Sequence, residues 1–322
     1  MARVVVVGKI HQSGLKVFEA RKDIDVDQLM SVDEQAMRKV AAAADAILIR
    51  TSKLSREAIE GAGKLKVVAR HGVGYDNIDV TALTAKGIPL ALVGNVNSSS
   101  VAEHALFLLL ACMKNGVSYD RATREARWSV RDSLSARDLK GKTLLIVGFG
   151  RIGREVALRA KAFGMRITAF DPWVKPNAAD TDVTFHSSLQ SAVREAHAIS
   201  LHLPLTPDTA NLVNRELLGL MRKDAVLVST ARGGLIDEEA LADALRAGAL
   251  KAAGLDVFEA EPPAKTNPLL ALDNVVLSPH SASLTAECAE RMAVVSAQNC
   301  LDGLDGRLDP SLLANPQVLG GS

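Results

Sequence analysis

The stretch Leu144-Leu-Ile-Val-Gly-Phe-Gly-Arg-Ile-Gly153, followed by the helix-forming segment Arg154 to Phe163, decides the fold. An apolar run that closes on glycines and opens onto a helix reads as strand, tight turn and helix. Gly148 permits the sharp turn, Gly150 clears the backbone for a pyrophosphate, and Gly153 lets the helix pack closely on its strand. The helix N-terminus then faces the anion. A lone GxGxxG also marks ordinary glycine-rich connections, so the surroundings must decide. A second apolar run, Arg166 to Phe170, ends in Asp171, about 18 residues past Gly153, where a carboxylate would meet the ribose hydroxyls of NAD. For Asp171 a solvated position before the turn at Pro172 is the alternative.

Outward from this unit, strands are expected near 144–147, 166–170, 198–201, 225–229, 252–255 and 275–277, with helices between them. Six strands suit a doubly wound sheet. Upstream, strands near 3–7, 46–49 and 67–69 alternate with helical segments at 15–20, 33–44, 55–61 and 80–86. The predicted fold class is α/β, as two Rossmann-like domains with doubly wound parallel sheets and a cleft between them. The apolar segment Val101 to Lys114, capped by Asn97-Ser-Ser-Ser100 and followed by the polar stretch 115–142, reads as the inter-domain crossing. The helical stretch Thr285 to Leu301 and the tail are too short to form a domain and are expected to return to the first one. The expected division is therefore 1–98 plus 286–322, a flavodoxin-like substrate-binding domain, and 99–285, an NAD-binding Rossmann domain.

Composition narrows the function from the other side. The 322 residues are 48% hydrophobic, enough for two substantial cores, and 38 Lys+Arg against 37 Asp+Glu leave a formal charge of +1. No nucleic-acid or membrane partner has electrostatic support, and a small soluble ligand is the default. Cys112, Cys288 and Cys300 are widely spaced in apolar or helical contexts, which points to a reducing cytoplasm with no disulfide framework and no metal cluster. Met1 to Gly8 holds too short an apolar core for a secretory signal, and the run Ala105 to Met113 is too short to cross a bilayer.

Three polar residues stand at or just past strand ends: Arg232 in Ser229-Thr-Ala-Arg-Gly-Gly234, Glu261 in Leu255-Asp-Val-Phe-Glu-Ala-Glu-Pro-Pro263, and His280 in Ser278-Pro-His-Ser-Ala282. An arginine fork suits a substrate carboxylate, a histidine near neutral pKa suits proton transfer, and a neighbouring carboxylate favours its imidazolium form. Singly, each has a plainer alternative: a turn residue, a solvated acid before two prolines, and an arginine paired with Asp237. The loop Arg70-His-Gly-Val-Gly-Tyr-Asp-Asn77 is either a second ligand-binding glycine loop, its N–H groups holding a carboxylate, or a simple turn. Of the other histidines, His104 on its apolar helix reads more readily as structural than catalytic, and His11, His186 and His197 are scattered.

With these motifs together, and with Ser100-Val-Ala-Glu-His104 and Ser200-Leu-His-Leu-Pro-Leu-Thr206, the chain resembles the D-isomer-specific 2-hydroxyacid dehydrogenases along essentially its whole length. That family includes phosphoglycerate dehydrogenase and the hydroxypyruvate and glyoxylate reductases. The resemblance implies an NAD-dependent oxidoreductase acting on a small 2-hydroxy or 2-keto acid, working as a homodimer built through the nucleotide domain and the Val101 to Lys114 helix. It implies Arg232 for the substrate carboxylate and carbonyl, His280 as acid/base and Glu261 as its partner. Implied cofactor contacts are Gly148, Gly150, Arg151, Ile152, Gly153, Asp171, His202, Pro204, Thr230, Ala231 and Asp256, the last for the nicotinamide amide. Val73 and Gly74 are implied substrate-binding amides, with Arg50 and His71 as candidates for substrate choice. Where many relatives carry His-Ile-Gly-Gly, this chain has His280-Ser-Ala-Ser283. It also ends without the regulatory domain that some phosphoglycerate dehydrogenases carry, so feedback through one is not expected. A dinucleotide-sensing, corepressor-like binding protein on the same fold is the rival reading; the compact length, with no disordered extension, argues against it.

Overall fold

The computed structural model describes residues 1–174, 180 and 182–320. In chain order the elements are β1 (Ala2–Val7), α1 (Gln12–Glu19), β2 (Ile24–Leu29), α2 (Glu34–Ala43), β3 (Ala46–Ile49), α3 (Arg56–Glu60), β4 (Val67–Arg70), α4 (Val80–Ala85) and β5 (Leu90–Ala91). There follow α5 (Ser98–Met113), α6 (Gly116–Arg124), β6 (Thr143–Val147), α7 (Arg151–Ala162), β7 (Arg166–Phe170), β8 (Val183–Phe185), α8 (Leu189–Glu195), β9 (Ala198–Leu201) and α9 (Arg215–Leu220). The last are β10 (Val226–Ser229), α10 (Glu238–Arg246), β11 (Ala252–Leu255), β12 (Val275–Leu277) and α11 (Ala286–Leu304). They fall into two compact units, Met1–Asn97 with Leu284–Ser322, and Ser98–Ser283.

The first unit is a parallel sheet in the order β2-β1-β3-β4-β5. Its central strand β3, Ala-Ile-Leu-Ile, is buried throughout, as a parallel strand covered on both faces must be. Sequence periodicity missed β2 and β5. β2 is an edge strand in which acidic Asp25 and Asp27 alternate with Ile24 and Val26, and Asp27 pairs with Arg3 across the ladder. β5 is only two residues long. α11, capped by Thr285 Oγ1, packs on this sheet and on α1: a Cβ at Gly303 would lie 2.5 Å from Val67 Cβ, and one at Gly14 would lie 2.7 Å from the Ala293 oxygen. His11 caps α1 by accepting the Ser13 N–H at Nδ1, a use that its isolation in the sequence did not reveal.

The second unit is a parallel sheet of seven strands, ordered β12-β11-β10-β9-β6-β7-β8. The additional strand, β8, is a three-residue edge strand beside β7. One face buries Leu189, Val193, Leu217, Leu241 and Leu245 under α8, α9 and α10; the other buries Leu108, Leu109, Val156 and Ala160 under α5 and α7. Two boundaries and one element differ from the sequence expectation. α5 begins at Ser98, so the serines form its first turn, where Ser99 Oγ bonds Glu103 and accepts from Arg159. The stretch expected to be merely polar after it contains α6, entered through Asn115 at φ 55°. α7 begins at Arg151 and not at Arg154, which puts the second half of the glycine motif inside the helix.

Candidate active site

The chain reverses its direction across the sheet at β6, with β7 on one side and β9 on the other, and this is where open α/β sheets leave a crevice at the strand C-termini. The glycine loop lies there. Gly148 sits at φ +91° and a Cβ on it would stand 2.6 Å from the His202 carbonyl oxygen, so neither the backbone nor the space admits another residue. A Cβ on Gly153 would stand 2.3 Å from the Gly148 oxygen, which fixes the close approach of helix and turn. Gly150 is different: nothing lies within 4 Å of where its Cβ would be, and as N-cap of α7 it makes no side-chain cap hydrogen bond. The helix start at Gly150 therefore carries no side-chain cap, as suits a helix N-terminus that receives an anion.

Asp171 follows β7 and does local work as well. Its Oδ2 accepts the Phe149 N–H at 2.8 Å, and its Oδ1 accepts those of Trp173 at 2.9 Å and Val174 at 3.1 Å. The carboxylate therefore holds the middle of the glycine loop while remaining beside it. Arg154 supports the same loop, donating to the Phe149 carbonyl at 2.7 Å, lying over the Phe149 ring and pairing with Asp180 at 3.1 Å. Nothing in the sequence pattern singled out that pair.

Along the row of strand ends, β7 carries Asp171, β6 the glycine loop, β9 His202 and Pro204, β10 Thr230, Ala231 and Arg232, β11 Asp256 and Glu261, and β12 His280. From β7 to β12 at about 4.8 Å per strand the row runs roughly 24 Å, the scale of an extended dinucleotide. His202 is half-buried, shares a 2.7 Å hydrogen bond with Ser200 Oγ, and is held neutral by burial, its pKa pushed down to about 3. The exposed Pro204 offers its carbonyl to Thr209 Oγ1. Next to it the buried hydroxyls of Ser229 and Thr230 find no hydrogen-bond partner among the described residues. An unsatisfied Thr230 hydroxyl, an open Gly150 and an uncapped helix start all fit a nicotinamide dinucleotide.

At the far end Glu261 and His280 come into contact, and the loop that carries Arg232 packs beside their segment. Glu261 Oε1 accepts the Phe258 N–H at 3.1 Å, which directs Oε2 to His280 Nδ1 at 2.7 Å. With Nδ1 so engaged, Nε2 is the ring nitrogen left for other partners; His280 and Glu261 also border a cavity of about 450 Å³ lined by Phe258, Pro262, Leu277 and Pro279. Arg232 donates to the Ala231 carbonyl at 2.7 Å. Gly233 holds it against this segment: a Cβ there would lie 1.9 Å from the Phe258 carbonyl carbon. Glu238, also missed in the sequence, anchors the same loop by accepting from Glu259 N and Asn267 Nδ2. Asp256 is fully buried and accepts from Ser278 Oγ, Ser281 N and Ala282 N. Burial alone would raise its pKa, but the hydrogen bonds from His104, Ser278, Ser281 and Ala282 outweigh that and hold the carboxyl below its ordinary value.

In the first unit, Arg50, His71, Val73 and Gly74 lie past the C-terminal ends of β3 and β4. The loop is braced from inside by Arg70, whose guanidinium donates to the carbonyls of Gly74 at 2.7 Å and of Ile49 and His71 at 3.4 Å. The N–H groups of Val73 and Gly74 take no part in the loop's backbone hydrogen bonds. Arg50 donates to the Lys9 carbonyl at 3.0 Å. His71 is 7% exposed with its Nε2 unsatisfied; burial, then the charge of Arg50, push its pKa down to about 4. It is a neutral hydrogen-bonding group.

Strand order, glycine loop and strand-end row define a dinucleotide-binding α/β chain, and the Arg-Glu-His group gives it the furnishings of an oxidoreductase. Residues 106–282 match the family model of the D-isomer specific 2-hydroxyacid dehydrogenase, NAD binding domain. The chain belongs to the D-isomer specific 2-hydroxyacid dehydrogenase family. It is 39% identical over 320 residues to a D-3-phosphoglycerate dehydrogenase of Methanocaldococcus jannaschii, covering 99% of this chain and 60% of that one. It thus spans less than two thirds of that relative's length. A glyoxylate reductase of Korarchaeum cryptofilum is 37% identical over 322 residues, covering 98% of this chain and 97% of the relative. The crystal structure of the TT0316 protein from Thermus thermophilus superposes with a TM-score of 0.88 at 37% identity, covering 97% and 99% of the two chains.

Proposed function

We propose that the chain is an NAD-dependent oxidoreductase that interconverts a small D-2-hydroxy acid and its 2-keto acid. The observation that carries this reading is the 2.7 Å contact of Glu261 Oε2 with His280 Nδ1, which leaves Nε2 as the proton-transferring atom at the end of the strand row. A bound nicotinamide supplies or accepts the hydride. In reduction, His280 Nε2 gives its proton to the oxygen of the substrate carbonyl, and Glu261 stabilises the imidazolium that must exist beforehand. Arg232 binds the carboxylate and stabilises the negative charge gathering on the reacting oxygen. The amides of Val73 and Gly74 take the substrate carboxylate. Asp256, expected from the resemblance to hold the nicotinamide amide, has no exposed surface and its carboxylate accepts from Ser278, Ser281 and Ala282, so its part is to support the His280 turn from behind.

NADH oxidation against glyoxylate, hydroxypyruvate and 3-phosphohydroxypyruvate tests the reading. Turnover is expected on at least one of them, with His280→Ala lower in kcat by about 10²–10⁴-fold. No turnover on any, or a His280→Ala variant equal to the parent, refutes it. The names of the relatives favour an enzyme over a dinucleotide-sensing binding protein.

Substrate choice falls to Arg50 and His71. Because His71 is neutral, Arg50 is the cation that a C3 phosphate would need, and kcat/KM for 3-phosphoglycerate against D-glycerate separates a phosphoglycerate dehydrogenase from a hydroxypyruvate or glyoxylate reductase. The preference for NAD over NADP rests on the Asp171 carboxylate beside the glycine loop, which repels a ribose phosphate. Equal efficiency with NADH and NADPH counts against it. The reading includes a homodimer formed on the α5–α6–α7 face, where Phe107, Val117, Leu158 and Phe163 are exposed, and a cytoplasmic location, supported by three buried, unpaired cysteines.

A further inference from the structure

His104 lies on α5, one turn before Leu108 and on the same helix face. A Cβ on Gly254 of β11 would stand 2.8 Å from Leu108 Cβ, so this glycine lets the helix come down onto the strand. His104 thereby reaches the ends of β11 and β12. Its Nε2 is 2.8 Å from Ser278 Oγ and 3.4 Å from Asp256 Oδ1, and Ser278 Oγ is 2.5 Å from that same carboxylate oxygen.

Proton counting fixes the direction of this chain. An ionised carboxylate only accepts, and a hydroxyl has one proton to give. Ser278 spends that proton on Asp256, so its oxygen must accept from His104, which therefore carries a proton on Nε2. Asp256 in turn holds three consecutive backbone N–H groups: its carbonyl takes His280 at 2.7 Å, and its carboxylate takes Ser281 and Ala282, each at 2.9 Å. His280 needs that grip, since its φ of 50° lies in the left-handed region that a side chain with a Cβ disfavours by about 1 kcal/mol or more.

We propose that His104 is a positioning residue for His280: through Ser278 it fixes the Asp256 carboxylate, and Asp256 fixes the strained turn that aims the His280 imidazole at Glu261 and the reacting oxygen. The assignment rests on reading His280 as the acid/base, and goes beyond it in giving a histidine on a different element a part in the reaction geometry.

Two measurements test it. In the ligand-free protein, long-range ¹H–¹⁵N spectra of the imidazoles are expected to show a proton on His104 Nε2, and amide exchange at Ser281 and Ala282 is expected to quicken by about tenfold in His104→Leu. An Nε2 without a proton, or unchanged exchange, overturns the proposal. In steady-state kinetics, His104→Leu and Ser278→Ala are each expected to lower kcat about tenfold with little change in KM for the keto acid. The double variant should be no worse than the poorer single one, as members of one chain behave. His104→Gln, which restores an N–H donor, should recover part of the loss. Additive losses, or a change in KM alone, overturn the proposal. If the parent reduces no keto acid at all, the dehydrogenase reading fails by itself, and the exchange and tautomer data still decide what His104 does to the turn.

Discussion

Burial and a carboxylate separate the two loop imidazoles. His280 leans on Glu261 at 2.7 Å and stays accessible, whereas His71 is buried with an unsatisfied Nε2. The folded pKa of His71, about 4 against an ordinary 6.5, means that between those values the unfolded chain binds a proton that the folded one refuses. Stability therefore falls as pH drops through that window, by about 3 kcal/mol for this group. His202, pushed down to about 3, acts in the same direction. Urea midpoints between pH 7 and pH 4 should fall steeply, and His71→Gln should flatten part of that acid slope; a parallel curve for the variant would show that His71 is not buried neutral. Glu261→Gln makes a different demand. It keeps an acceptor for the Phe258 N–H but removes the charge that stabilises imidazolium, so kcat should fall by about 10–100-fold, less than for His280→Ala.

Among the elements, the site depends on how closely loops after β10 and β11 can approach. Gly233 has no room for a Cβ because backbone atoms of Phe258 and Glu259 occupy the place, and backbone cannot swing aside as a long side chain can. Gly233→Ala should cost about 3 kcal/mol in urea unfolding and lower kcat as well, because Arg232 and the Phe258–Glu261 segment must separate. A variant of unchanged stability would mean that the two loops are not in this contact. At α11, Thr285 Oγ1 accepts the Cys288 N–H at 3.1 Å, and Thr285→Ala should cost about 1 kcal/mol without touching kcat. The same helix shows why periodicity read its body well and its ends less so: a cap is a side-chain choice, and fraying moves the last turn by a residue or more.

For the whole molecule, the exposed apolar side chains of Phe107, Val117 and Phe163 line one open surface depression of the second unit, and Leu158 on α7 is exposed as well. If they form the proposed dimer face, Phe107→Asp should shift sedimentation toward monomer, while an unchanged sedimentation coefficient would move the interface elsewhere. Among the described residues, no helix is long and apolar enough to cross a membrane. α5, although largely apolar, turns most of its side chains to α7 and the sheet and leaves Phe107 exposed.

The α/β class and the glycine loop were legible in the sequence, and so was the approach of Glu261 to His280, because each rests on β-branched runs closed by glycine and on strand ends that a parallel sheet gathers on one side. Edge strands β2 and β8 were not legible, since a strand with one solvated flank needs no apolar run, and β5 was not because it is only two residues long. Nor were the supports of the site. Arg70 bracing its own loop, Arg154 over Phe149, Glu238 behind Glu259 and His104 behind Ser278 all act through partners distant in sequence or through backbone carbonyls that no residue pattern marks. The sequence determined the α/β class and where the glycine loop and the strand-end polar residues stand along the chain. Only the tertiary structure decided which of them are held still, because that depends on burial and on where each neighbouring N–H finds its acceptor.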